Sequence, residues 1–413
     1  MQSALDFYLS LPALIADLPQ VEGLRRQAQT EFESFGFPTR EHEDWKYSHT
    51  DAFSKMRFEL SQSCHAPKDD SFPVMPTYLM SGEVLNAPVL PEGVIILPWA
   101  EALLLHAEKI APVLGRVLKD RHGFHAQNTA MLSMGLFIYL PKHTCLEAPL
   151  RLVNWQNEDK GCYLRHLVVL EEGAVLTLVE DYQGHDETAY YTNVVTEVHL
   201  HAHASFKHYK VLREGSQAYH VGQLAVKQDA YSSFETHSFA LGGQWVRSDV
   251  DIQLQGQHAS CMMNGIYMTG ANQHLDHHTK VQHQVPHCTS YQDYKGLVTG
   301  TSRVVFNGIV NVYQDALKTV AHQSNKNLLL SKNAEVDTKP QLEIYADDVV
   351  CTHGATVGQL DDEALFYLEA RGIPATEARS FLMRAFVEGN LQKIGHAALS
   401  SWMSHLLNQK MGW

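Results

Sequence analysis

The chain has 413 residues, of which 45% are hydrophobic and 19% are charged, and its formal net charge is −14 at pH 7. This composition predicts a folded protein with ample core and excludes extensive disorder. The negative charge argues against nucleic acid or an anionic membrane surface as the main partner. Six cysteines lie scattered without a CxxC pair, so we expect reduced thiols and no disulfide framework.

The N-terminal residues are typical of a cytoplasmic protein. They lack the basic start, apolar stretch and small-residue cleavage site of a signal peptide. No apolar run reaches the roughly 18 residues of a membrane-spanning helix, so we expect no membrane anchor. The sequence also lacks a GxxxxGK[ST] loop, a GxGxxG fingerprint and a GxSxG nucleophile motif. We therefore expect no ATP hydrolysis by this chain alone, and any energy input must come from a partner.

Residues 1–133 are predicted to form a helical region with an irregular linker. An apolar stripe from Leu11 to Leu24 follows a helical period, interrupted by Pro12 and Pro19. The segment Ser61 to Met80 mixes proline, serine and charge, which is typical of a linker.

Residues 134–359 carry many short alternating segments, such as YLRHLVVL and AVLTLVED, and these predict an all-β body. A barrel, a sandwich and a solenoid all agree with this pattern. Three segments repeat a strand, a polar residue and a glycine, and their glycines are Gly265, Gly308 and Gly354. The spacing of about 45 residues favours a β-solenoid with two coils per repeat. Asn264 and Asn307 precede the first two glycines, whereas His353 precedes the third.

Cys351 and His353 are the candidate metal ligands. In an extended strand, residues two apart project from the same face, so a thiolate and an imidazole would share one patch. Such a pair suits iron, zinc or an iron–sulfur cluster. The alternative is that Cys351 is a small core residue and His353 a hydrogen-bonded core histidine.

Residues 360–413 are predicted to be helical, with Asp361 or Asp362 as a cap. Apolar stripes that include Phe381 and Trp402 predict packing on the open end of the solenoid.

Histidine is abundant, with 25 copies. His199, His201 and His203 alternate along a predicted strand, so they are expected to share one face. They would form either a divalent metal site or a polar ladder without a ligand. A second group runs from His274 to Cys288 and has the same two interpretations, a metal site or a structural turn.

Four collinear segments resemble the SufB/SufD family, the scaffold subunits of the SUF iron–sulfur cluster assembly system. The segments are REHEDWKYS (Arg40 to Ser48), FHAQNTAMLSMGLFIYLPKHTCLEAPLRL (Phe124 to Leu152), DHHTKVQHQVPHCTSYQDYKG (Asp276 to Gly296) and CTHGATVGQLDDEALFYLEARG (Cys351 to Gly372). The chain resembles the SufD branch more than the SufB branch. Gly354 stands where the SufB pattern has glutamate, and Leu368 stands where it has cysteine.

The resemblance implies a right-handed parallel β-helix over 134–359, between the N-terminal region 1–133 and a C-terminal helical domain over 360–413 that docks a SufC-like ABC ATPase. It also implies a SufB-like sibling scaffold, and a transient iron–sulfur cluster or iron held at the interface of the two scaffolds. His353 matches the ligand on the SufD side, and Cys351 is the weaker candidate. No residue is expected to be catalytic, and no nucleotide is expected to bind this chain.

Two points stay open after the resemblance: whether the chain forms a homodimer, and whether it binds flavin when complexed. Two other functions also remain. One is a stand-alone histidine-rich metal-binding protein, which would bind several equivalents of metal without a partner. The other is a β-helix carbohydrate-active enzyme, which would need secretion and clustered carboxylates.

Overall fold

The structure is a computed structural model. It describes residues 3–11, 19–61, 63–67, 72–73, 75–86, 89–119, 121–132 and 134–412. Pro12 of the predicted N-terminal stripe and parts of the predicted linker lie outside these residues. None of the helices within them is long and apolar enough to cross a membrane.

The helices are α1 (Ala4–Leu9), α2 (Pro19–Phe35), α3 (Trp99–Leu105), α4 (Ala107–Ile110), α5 (Gly123–Ala130), α6 (Asp362–Ala370), α7 (Ala375–Leu391) and α8 (Ala397–Met411), with a 3₁₀ helix over Glu43–Trp45. The strands that precede the solenoid are β1 (Glu59–Leu60), β2 (Thr77–Leu79), β3 (Val84–Asn86) and β4 (Ile95–Pro98). The solenoid strands are β5 (Leu136–Leu140), β6 (Leu150–Gln156), β7 (Lys160–Leu170), β8 (Val175–Gly184), β9 (Tyr191–Leu200), β10 (Ser205–Arg213), β11 (Tyr219–Gln228), β12 (Ser233–Ala240), β13 (Trp245–Leu254), β14 (Ser260–Met268), β15 (His274–His283), β16 (Thr289–Val298), β17 (Arg303–Val312), β18 (Val320–Leu329), β19 (Glu335–Ile344) and β20 (Val350–Gly358).

The strands form two long sheets that face each other. Sheet 1 contains the odd-numbered strands β5 to β19, together with β4 and β1, and sheet 2 contains the even-numbered strands β6 to β20, together with β2 and β3. Neighbouring solenoid strands in each sheet are parallel, as for β9 with β11 and β10 with β12. Each turn contributes one strand to each sheet, so β5 to β20 make eight turns. The predicted parallel β-solenoid is confirmed, while the division of the chain at 133 and 359 stays a prediction.

The turns are shorter than the glycine spacing predicted. Residues opposite each other in neighbouring turns are 26 to 32 positions apart, as for Tyr219 with Trp245 and Arg303 with Glu335. The interval of about 45 residues therefore spans one and a half turns, and β17 lies in the other sheet from β14 and β20. The predicted two coils per repeat are wrong.

The three glycines also differ in their surroundings. A side chain at Gly265 or Gly308 would collide with the interior residues Tyr294 and Gln323, whereas one at Gly354 would meet nothing within 4 Å. Strand pairing aligns Gly265 with one inward-facing residue in each later turn of the same sheet. This column of aligned residues ends at Ala355 rather than at Gly354. Asn264, Asn307 and His353 are therefore not equivalent positions.

One corner of the solenoid is lined with aromatic rings. His203, Tyr231, His258 and His287 each adopt a positive φ between 60° and 64°. Their rings stack in this order, with centroids 5.0, 4.8 and 4.9 Å apart. His203 therefore belongs to this corner stack, and the prediction that it shares a face with His199 and His201 is wrong because the strand ends at Leu200.

The outer faces of the two sheets are covered by the two ends of the chain. Residues from the N-terminal region, such as Phe32, Trp99 and Phe124, pack on sheet 1. Helices α7 and α8 pack on sheet 2 through residues such as Leu391 and Trp402. The prediction that the C-terminal helices cover the open end is therefore wrong, because their apolar stripe lies on the side of the solenoid and leaves β19 and β20 as sheet edges.

A buried pair of asparagines fixes α7 on sheet 2. Asn390 Nδ2 donates to Asn264 Oδ1 at 2.5 Å and to the carbonyl of Asp293 at 2.9 Å. Asn264 Nδ2 donates in return to the carbonyl of Asn390 at 2.9 Å. Both side chains are buried, so water cannot replace a lost partner easily.

We expect Asn390→Ala to lower the free energy of unfolding of the C-terminal helices by about 1–3 kcal/mol, because it leaves the amide of Asn264 buried with one partner fewer. Hydrogen exchange of α7 and α8 measures this effect directly. Gln392→Ala is the matched control, since Gln392 is the exposed C-cap residue of α7 and its side chain donates to Glu388 Oε1 at 3.3 Å. Equal protection of the helices in both variants would show that the asparagine pair does not hold them.

Candidate functional site

Cys351 and His353 lie on β20, the last strand of sheet 2. The pairing of successive turns places His353 at the end of a column that continues through Gln323, Gln292 and Met263. The other three side chains of this column face the solenoid interior and are buried. His353 occupies the same inward-facing position, but it is exposed because no further turn covers it.

Cys351 ends the neighbouring column, which continues through Ala321, Ser290 and Cys261. It is partly buried and packs against a small apolar cluster that includes Ala321 and Val310. Burial raises the pKa of the Cys351 thiol, so the thiol is protonated at neutral pH. As predicted, the two residues share a face two positions apart, but Cys351 is partly buried while His353 is exposed to solvent.

The donor set at this edge is incomplete within the chain. Two groups of three potential metal ligands occur in the described residues, and neither includes Cys351 or His353. A metal ion here would therefore take further ligands from outside the chain, since iron and zinc sites need about four donors.

The strands around this pair form an exposed edge. The apolar side chains of Ile344, Tyr345, Val350 and Val357 are 40%, 67%, 59% and 44% exposed. Among the residues that the structure describes, strands β19 and β20 each have a neighbouring strand on one side only, so their outer backbone groups are not paired within the two sheets. An edge strand with exposed apolar side chains is a template for pairing with another chain.

The predicted group from His274 to Cys288 does not converge on one site. His277 and His283 face the interior, where burial lowers the pKa of each to about 4, so both are neutral at pH 7. His283 Nε2 lies 2.8 Å from Ser290 Oγ. His278 faces the opposite side of β15, where its Nε2 lies 3.0 Å from Asp276 Oδ1. The alternation of the strand separates these residues, which favours the structural interpretation.

Comparison with known families shows which family the chain belongs to. The profile described as "SUF system FeS cluster assembly, SufBD core domain" matches residues 153–386, and the profile of the SufBD protein N-terminal region matches residues 2–152. The chain belongs to the SufBD family.

Individual relatives show similarity over most of the chain. The iron-sulfur cluster assembly protein SufD of Escherichia coli is 32% identical over 89% of each chain. A SufBD family protein of Synechocystis is 30% identical over 77% of this chain and 72% of its own length. A chloroplastic protein of Arabidopsis thaliana is 34% identical over 62% of this chain and 56% of its own length.

Two of the SufBD-like segments meet on the outer face of sheet 1. Ser48, from the segment Arg40 to Ser48, lies with its Oγ 2.9 Å from His274 Nε2 and also donates to Asp276. Arg247 Nη1 donates to Asp276 Oδ2 at 2.6 Å and to the carbonyl of Asp44 at 2.9 Å. These bonds anchor the N-terminal region to the solenoid, so this similarity reflects structure rather than a metal site.

Arg247 is the residue of this anchor that sequence reasoning missed. Its guanidinium lies 4.2 Å from the centre of the Trp45 ring and bonds to Asp249. Burial raises the pKa of Asp276, but the nearby Arg247 charge outweighs burial and holds it below its usual value. A single arginine in a strand of alternating residues does not indicate, from the sequence alone, which residues it will contact.

Proposed function

We propose that this SufBD protein is a SufD-like scaffold subunit that acts in the cytoplasm, pairs with a SufB-like sibling and helps to hold a nascent iron–sulfur cluster at the interface. One observation carries the proposal. His353 and Cys351 lie side by side on the uncovered last turn, with an incomplete donor set and an exposed apolar edge around them. Such an arrangement suits a site that is completed by another chain.

In the proposed site His353 is the main ligand from this chain. Its exposed imidazole offers a nitrogen lone pair to iron without movement of the backbone. Cys351 would bind only after losing its proton, which its burial opposes, so we assign it a secondary role. All six cysteines are free in the structure.

The proposal assigns no catalytic residue and no nucleotide to this chain. The energy for assembly would come from a SufC-like ATPase docked on the C-terminal helices. Phe366, Tyr367 and Phe381 support this docking surface, since they are 73%, 58% and 55% exposed on α6 and α7. Exposed aromatic side chains of this kind are typical anchors of protein interfaces.

Photo-crosslinking tests the proposed pairing edge. A crosslinking amino acid at Val357, on β20, is expected to capture the sibling scaffold when the chain is co-expressed with it and with the ATPase. The same amino acid at Tyr231, which is 55% exposed on the far corner stack, is the matched control and is expected to capture neither. Iron and sulfide analysis of the purified complex then shows whether a cluster is bound.

Three other results would contradict the proposal. Capture of a second copy of this chain from Val357 would assign the edge to a homodimer. Equal capture from Val357 and Tyr231 would show that the edge is not specific. Metal bound in several equivalents by the isolated chain, with no complex formed, would favour a stand-alone metal-binding protein.

A further inference from the structure

A second cluster of metal-binding side chains lies on sheet 1, on turns far along the chain from β20. His199 is near the end of β9, His201 follows that strand, and Asp229 follows the neighbouring strand β11. The backbone amide of Asp229 donates to the carbonyl of Leu200 at 2.9 Å, which aligns the two strand ends. The register of the solenoid therefore fixes these three residues at one place.

The geometry of the donor atoms fits one metal ion. His199 Nε2 lies 3.1 Å from Asp229 Oδ2, and His201 Nδ1 lies 3.3 Å from the same oxygen. One donor from each residue can be chosen so that all three lie within 4.8 Å of one another. Ligands bound at about 2.0–2.2 Å from an ion, at angles between octahedral and tetrahedral, are separated by about 2.8–3.6 Å. The two measured separations lie in this range.

The three side chains are sheltered on one side and open on the other. The exposed fractions are 12% for His199, 34% for His201 and 31% for Asp229. The side chain of Asp229 is a carboxylate at neutral pH, as is usual for aspartate. Two histidines and one ionised carboxylate with open positions are a preferred ligand set for Fe²⁺, and Zn²⁺ accepts the same donors.

The surroundings of the cluster supply room for further ligands. His199 and His201 line a groove of about 940 Å³ between sheet 1 and the segment that follows α4. The charged residues that line the groove are Lys109, Arg116, Lys119, Arg121 and Lys227, together with Glu108 and Glu171. Basic residues outnumber acidic ones there, so an ion held by the three side chains would complete its coordination with water or with a small anion that the net positive charge attracts.

The other three-residue group in the described residues is a poorer candidate. It consists of His122, His125 and Asp249. Arg247 Nε donates to both carboxylate oxygens of Asp249, at 2.8 and 3.0 Å. A metal ion at Asp249 would have to displace or lie beside this guanidinium, which costs Coulomb energy.

We infer that His199, His201 and Asp229 form a binding site for one divalent transition-metal ion of the Fe²⁺ or Zn²⁺ class. This site is separate from the edge with His353 and goes beyond the proposed scaffold function.

Metal titration of the full-length chain tests the inference. The chain carries His353→Ala, so that the edge does not contribute, and is titrated anaerobically with Zn²⁺ by calorimetry and with Co²⁺ by visible absorption. We expect one tight equivalent. Asp229→Asn keeps the shape of the side chain but removes its charge, and we expect at least about a tenfold loss of affinity, as loss of even an outer-shell partner costs about 10–100-fold.

Two further variants keep the test decisive. His199→Gln is expected to weaken binding as Asp229→Asn does, and circular dichroism confirms that both variants are folded. His122→Gln is the matched control and is expected to leave the tight equivalent unchanged. The inference is overturned if the chain binds no metal tightly, if Asp229→Asn and His199→Gln leave the affinity unchanged, or if His122→Gln removes the binding. These results concern the isolated chain without a cluster, so they leave the proposed scaffold function standing.

Discussion

Replacing His353 by alanine is expected to lower the iron and sulfide bound per assembled complex by about tenfold or more, with folding intact. The imidazole is exposed on the last turn, so its removal opens no cavity, and its cost in stability should stay within about 0.5 kcal/mol. Its removal would take away a nitrogen donor of the proposed site, and loss of even an outer-shell partner costs about 10–100-fold in metal affinity.

The matched control for this prediction is His322→Ala. His322 lies on the adjacent strand β18, opposite Thr352, and its Nδ1 is 2.6 Å from Thr352 Oγ1 on the outer face of sheet 2. It is therefore close to the site in the sheet but faces away from it. The prediction is wrong if the two variants retain the same iron and sulfide content, or if His353→Ala prevents the complex from forming.

Glu197→Ala is expected to lower the free energy of unfolding by about 3–5 kcal/mol, because it leaves Arg165 buried without its partner charge. Glu197 and Arg165 are 0% and 1% exposed and form an ion pair. The same carboxylate accepts hydrogen bonds from the backbone amides of Gly115, Val117 and Leu118, at 2.8, 3.0 and 3.3 Å. The loss therefore affects both the solenoid and the segment after α4.

Denaturant unfolding with circular dichroism measures this loss as a shift of the midpoint. Glu172→Ala is the control, since its ion pair with Lys142 is exposed and screened by solvent, and its loss should leave the midpoint nearly unchanged. Arg165→Met should cost less than Glu197→Ala, because Glu197 keeps its three backbone donors in that variant. A midpoint for Glu197→Ala equal to that of Glu172→Ala would contradict the assigned role of this pair.

The strand pattern was readable from the sequence because the inward-facing positions alternate strictly with outward ones. Inward-facing residues such as Leu164 and Leu178 belong to one continuous hydrophobic core. The alternation of inward-facing and outward-facing residues, with a period of two, predicts β-strands. The length of a turn was not readable in the same way. The length of a turn depends on which strands pair with each other in neighbouring turns. The predicted repeat rested on glycines such as Gly265 and Gly308. These glycines are required by close packing against Tyr294 and Gln323 and not by a sequence repeat.

The candidate site could be predicted from the sequence only in part. Spacing placed Cys351 and His353 on one face, because a strand fixes the direction of residues two apart. Spacing could not show that this face is inward and uncovered, since this follows from the absence of a turn after β20. Nor could it bring Asp229 to His199 and His201, because that contact spans 30 positions and depends on the solenoid register.

Nitrogen coordination of the cluster tests the central claim most directly. The complex is assembled with ¹⁵N-histidine in this chain only, the bound cluster is reduced, and pulsed electron paramagnetic resonance measures coupling of the cluster to ¹⁵N. We expect a ¹⁵N coupling in the complex with the native chain and none in the His353→Ala complex. The absence of coupling in the native complex, or an equal coupling in both, would show that His353 does not hold the cluster.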